Sequence, residues 1–161
     1  MMDTPGRASA RLWWTAGEDR SDSSRALPSD TLALLQSESP FVITALEVLP
    51  VFFVRILWAD AMRDRRTFVF IDNDGARHAL LRSSSGSTSV SRVLHQILRT
   101  QAASPSFVWY CRVPSASNVA DAPSRGMFGE MQQAGAERDA IPEELWAGAI
   151  SGVGLTVAPV G

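Results

Sequence analysis

The chain has 161 residues, of which 45% are hydrophobic and 20% charged. That allows one domain with a modest core and excludes a wholly disordered chain, a collagen-like repeat or a long coiled coil. The formal net charge of −2 sets 17 acidic residues against 15 basic ones, and every basic one is arginine. So even a balance exerts no general pull on a polyanion, and a nucleic-acid contact has to come from a local patch.

The single cysteine, Cys111, excludes an intramolecular disulfide and a multi-cysteine zinc site, and it suits a reducing, intracellular setting in cytoplasm or nucleus. Residues 1–10 mix charge, proline and glycine and lack the apolar run of a secretory signal. The longest apolar stretch, 41–59, is interrupted by Thr44, Glu47, Pro50 and Arg55. A bilayer span would bury a carboxylate and a guanidinium there at large cost, so the stretch reads as a buried helix and no membrane is expected.

In chain order, 1–11 reads as a loose tail, 12–16 as one short strand and 17–30 as a polar loop. Leu32, Leu34 and Leu35 suggest a short strand or turn, and Ser39 and Pro40 a helix start. From Phe41, the apolar residues Val42, Leu46, Leu49, Phe53, Ile56 and Leu57 recur at threes and fours, which predicts a helix that Pro50 should kink.

Residues 63–66 form a charged turn. TFVFI at 67–71 predicts a strand buried on both faces, ending in Asp72, Asn73 and Asp74. A short helix at 76–82, a serine-rich loop at 83–89 and a second helix at 90–103 lead to FVWYCRV at 107–113, the second clear strand. Further helical patterns lie around 127–136 and 143–150, and 151–161 reads as a flexible tail. Helix, strand, helix, helix, strand, helix is the order of an α/β domain with at least two parallel strands.

Three acids stand out by position. Glu47 sits within an apolar helix, Asp72 ends a strand at the point where open α/β sheets gather ligands, and Asp121 follows the second strand. Carboxylates brought to one point repel one another, and a hard cation with oxygen ligands relieves that repulsion; two such ions clamp a phosphodiester. The same residues also read as a snorkelling helix-edge glutamate and two helix caps. Asp72 with Asp74 also suits a phosphoryl-transfer site. Cys111 beside His78 or His95 would make a nucleophile pair, although its place in an apolar strand favours packing in the core.

Charge is unevenly distributed. No acid occurs between Asp74 and Asp121, whereas Arg77, Arg82, Arg92, Arg99 and Arg112 lie there with His78 and His95. On the 90–103 helix, Arg92, His95, Gln96 and Arg99 fall at a spacing that would share one exposed face, suited to a phosphate backbone or simply solvated.

FVFIDNDGARHALLRSSS at 68–85 and VPSASNVADAPSRG at 113–126, together with TALEVLPVFFVRILWA at 44–59, resemble the RNase H-like domain that follows reverse transcriptase in DIRS-type and gypsy-type retrotransposons. The resemblance covers roughly 41–136. It implies an α/β fold with an RNase H-like mixed sheet flanked by helices, and an endonuclease (a phosphodiester hydrolase) that uses two Mg²⁺ or Mn²⁺ ions to cut the RNA strand of an RNA–DNA hybrid. Glu47, Asp72 and Asp121 would be the catalytic metal ligands. Asn73, Arg77, Arg92, His95, Arg99 and Arg125 would meet nucleic acid, and the rest of a reverse transcriptase polyprotein would be a natural partner.

The family's first strand, in an antiparallel meander, carries a further aspartate. Here Ala16 of WWTAG stands in its place, and Asp19 and Asp22 lie in polar sequence. The N-terminal strands are therefore expected to be reduced or missing, with 1–40 loosely ordered and holding at most two strands, 41–150 forming the domain and 151–161 a tail. A catalytically inactive remnant that binds nucleic acid or a protein is the alternative expectation.

Overall fold

The computed structural model describes residues 29–38, 42–124, 127–133 and 141–151. The expectations for 1–28 and 152–161, including the strand at 12–16, Ala16, Asp19 and Asp22, lie outside the described residues, as does Arg125.

Among the described residues the chain is an α/β structure, mostly helical, with a two-stranded parallel sheet. Helix α1 (Ser29–Glu38) precedes α2 (Val42–Leu57) and a single turn, α3 (Ala59–Met62). Strand β1 (Arg66–Ile71) is followed by α4 (Asp74–Arg82) and α5 (Thr88–Ala103), and then by strand β2 (Phe107–Arg112). A 3₁₀ turn at Ser115–Ser117 and the helices α6 (Asp121–Ser124), α7 (Gly129–Gln133) and α8 (Glu143–Ser151) follow. The strands pair in register from Arg66 opposite Phe107 to Ile71 opposite Arg112.

Helix α2 is the centre of the core. Ala45, Val48, Leu49, Phe52 and Phe53 are at most 1% exposed, because apolar residues at threes and fours give this helix two adjoining buried stripes. They meet Val90, Val93, Leu94 and Ile97 of α5, Ala76 and Leu80 of α4, and Leu145 and Ala149 of α8. Phe53 packs edge-on against Trp146 at 4.5 Å between ring centroids, a favoured aromatic geometry. The helix runs from Val42 to Leu57 with Pro50 inside it, so the Leu46 carbonyl lacks its usual N–H partner.

Where the structure departs from expectation, packing explains the difference. Leu32, Leu34 and Leu35 lie in α1 rather than in a strand. Only Leu35 of the three is fully buried, at 1% exposure, so the helix shows little of the periodicity by which a sequence declares one. Strand β1 is not buried on both faces: Val69 and Ile71 turn to the helices, while Phe68 and Phe70 are exposed. Among the described residues, one layer of helices covers one face of the sheet, and the second face stays open. No described helix is long and apolar enough to cross a membrane.

The start of α4 fixes the end of β1. Asn73, not Asp72, caps the helix by accepting the Ala76 N–H at 2.9 Å, which satisfies one of the orphan donors of its first turn. A side chain at Gly75 would meet the Asn73 oxygen at 3.2 Å and the Thr44 hydroxyl at 3.4 Å. The glycine thus lets the beginnings of α4 and α2 approach closely. Asp72 is left on the turn between strand and cap.

Candidate functional site

A cleft of about 490 Å³ opens between α2 and β1. Its α2 wall is one stripe of the helix, Glu47, Pro50, Val51 and Val54, continued by Trp58 just past its end. The opposite wall is β1 from Thr67 to Ile71. The end wall is formed by Asp72 and the segment from Asn118 to Asp121. The three acids singled out in the sequence therefore line one cavity, at the carboxyl end of β1.

Their local settings differ. Glu47 is half-buried on α2, and burial, followed by the neighbouring Asp72 carboxylate, holds its carboxyl above the usual carboxylate range. Among the described residues no hydrogen bond or ion pair relieves it. Asp72 is oriented by Asn118, whose side-chain amide donates to Oδ2 at 3.0 Å. The Asn118 carbonyl oxygen Oδ1 in turn accepts the Ala120 N–H at 3.1 Å, which fixes the amide's direction. The Asp121 N–H donates to the Asn118 backbone carbonyl at 3.0 Å, so one asparagine ties Asp72 to the loop that carries Asp121.

The donor chemistry suits a hard divalent cation, which takes carboxylate oxygens. Among the described residues, however, no three His, Cys, Asp or Glu side chains stand close enough to hold one ion. Glu47 and Asp72 are the electrostatically coupled pair, and Asp121 lines the same wall as Asn118.

The remaining candidates divide. Asn73 is occupied by the α4 cap. Arg77 lies 3.6 Å from Asp74, and Asp74 also accepts from Arg112 Nε at 3.0 Å, so Asp74 is tied to arginines. Arg92 forms a two-pronged pair with Glu38 of α1, at 2.9 and 3.1 Å, and thereby joins two helices. His95 and Arg99 are exposed on α5. Gln96, expected to share their face, is 3% exposed: it falls on the same side as Val93, Ile97 and Thr100, which pack inward. Cys111, expected in the core, is only half-buried, because its side of β2 is the sheet's open face.

Two residues escaped the sequence reading. Arg55 lines the cleft yet is 4% exposed; its Nε donates to the Thr100 hydroxyl at 3.0 Å, Nη1 to the Ser106 hydroxyl at 3.0 Å and Nη2 to the Ser104 carbonyl at 3.2 Å. An arginine within an apolar helix was the available signal. Asn118 is the other, and its place within NVADAPSR was the only sign of its part in the site.

Comparison of the chain with known protein families, with curated proteins and with solved structures finds no match.

Proposed function

We propose that the chain is an RNase H-like domain of retroelement origin whose cleft hydrolyses the RNA strand of an RNA–DNA hybrid. The observation that carries this reading is that Glu47, Asp72 and Asp121, drawn from three separate motifs, line a single cavity. The parallel pair of strands joined through two helices, with an acid after the first strand and a glutamate-bearing helix alongside, is compatible with such a domain.

Within this reading Asp72 is the principal ligand, held in place by Asn118. Burial and Asp72 raise the affinity of Glu47 for a proton, and a cation beside the pair would favour its ionised form. Asp121 closes the far wall. Mg²⁺ or Mn²⁺ at the Glu47–Asp72 pair would supply Lewis-acid stabilisation of the phosphodiester oxygens. The rest of a reverse transcriptase polyprotein is the partner this reading entails.

The test is cleavage of a labelled RNA–DNA hybrid in Mg²⁺, with duplex DNA as control. Cleavage by the wild type that falls at least about 100-fold in Asp72→Asn is the expected result. Equal rates for the two proteins would sink the assignment. A second reading, binding of nucleic acid without hydrolysis, is favoured by one observation: no three of the described acids stand close enough to share one ion. Hybrid binding without cleavage by the wild type would select it.

A further inference from the structure

The face of the sheet turned away from the helices carries an aromatic surface. Strand alternation places Arg66, Phe68 and Phe70 of β1 on it, beside Phe107, Trp109 and Cys111 of β2 in register. Phe107 is 66% exposed, Phe70 63%, Phe68 62% and Trp109 46%. Phe68 and Trp109 stack across the strands at 5.6 Å between ring centroids, with 28° between their planes. Parallel sheets ordinarily have both faces covered, and a contiguous exposed apolar patch on a folded domain marks an interaction site.

Charge and size choose the occupant. Among the described strand residues, no acidic side chain lies on this face. Its N-terminal end carries the exposed Arg65 and Arg66, neither of which is ion-paired among the described residues, with Asp64 the neighbouring acid. Four rings at this exposure present about 500 Å², short of the roughly 800 Å² per partner of a standard protein interface. A few nucleobases fit such an area. Bases stack on aromatic side chains without regard to sequence, while arginines at the margin hold the phosphates.

The geometry points to a platform for single-stranded nucleic acid, formed by Phe68, Phe70, Phe107 and Trp109 with Arg65 and Arg66 at its end. It deepens the reading above and rests on it only for the class of partner. Strand β1 runs from Arg66 to Ile71 with Asp72 next in the chain, so a nucleic-acid strand lying along β1 from the arginines runs toward Asp72.

The experiment is fluorescence anisotropy of the full chain with a labelled twelve-nucleotide thymidine oligomer in EDTA, where a metal-dependent activity plays no part. Saturable binding that weakens with salt is expected, with Trp quenching as bases stack. Phe68→Leu and Phe107→Leu keep apolar bulk at exposed positions and should each weaken binding about ten-fold; Arg66→Ala should lower the salt dependence. Absence of wild-type binding, or undiminished binding by both leucine variants with unchanged melting, overturns the platform. So does self-association in sedimentation that the same variants abolish, since the face would then be a protein interface. Failure of hybrid cleavage leaves this result standing, and the converse also holds.

Discussion

Helix α2 carries two ionisable side chains into the same cleft, and they are treated in opposite ways. Arg55 is fully enclosed, with each of its three guanidinium nitrogens donating to Thr100, Ser104 or Ser106. Glu47, eight residues earlier, is less deeply buried but has no partner among the described residues, and Asp72 faces it with the same charge. Burial of a charge is tolerable when its hydrogen bonds are satisfied and costly when they are not. Arg55 therefore reads as part of the scaffold, fastening α2 to the end of α5 and the start of β2. Glu47 keeps its capacity for a ligand.

The largest expected effect comes from breaking the satisfied member. Arg55→Ala leaves three buried acceptors without a donor, and at about 1–3 kcal/mol for each unsatisfied group the loss of stability should reach at least about 3 kcal/mol in chemical denaturation. A loss under about 1 kcal/mol would remove the contrast with Glu47.

Glu47→Gln should do the reverse. The folded state binds the Glu47 proton more tightly than the unfolded state, so the wild type loses stability as pH rises from the usual carboxylate range through the raised value. The glutamine variant, with no charge to bury, should melt above the wild type at pH 7, and the gap should close in acid. Thermal melts across pH 4–8 check this directly.

Asn118→Ala removes the donor to Asp72 and the cap of the following turn. A cost of about 1 kcal/mol is expected, together with a fall in any hybrid cleavage that Asn118→Asp does not restore, because a carboxylate cannot donate to Asp72. The smallest change belongs to the half-buried pair between α1 and α5: Arg92→Ala should cost about 0.5–1 kcal/mol and leave the cleft's chemistry as it was.

How far the sequence discloses this arrangement depends on the range of the interactions. TFVFI and FVWYCRV announced their strands because unbroken runs of β-formers are a local signal, and α5 announced itself by its period. Helix α1 did not, since its burial rests on Leu35. The open face of the sheet was illegible for a different reason. An apolar run reads the same whether a second layer covers it or not, so Phe68 and Phe70 were expected inside.

The candidate site was legible only in pieces. Glu47, Asp72 and Asp121 each violated a local rule of burial or position, which marked them individually, but spacing along the chain says nothing about their convergence. Arg55 violated the same rule; its partners lie 45, 49 and 51 residues further along the chain, beyond the reach of any local pattern. Two identical warnings, a charge in an apolar helix, thus had opposite meanings that only tertiary structure separates.

The central claim, that Glu47 is the unsatisfied charge of the cleft and Asp72 its neighbour, is tested most directly by following the Glu47 carboxyl carbon through a pH titration by NMR. The wild type should titrate above the usual carboxylate range, Asp72→Asn should bring the midpoint down, and added Mg²⁺ should lower it in the wild type. An ordinary midpoint, unmoved by Asp72→Asn or by Mg²⁺, would contradict the account.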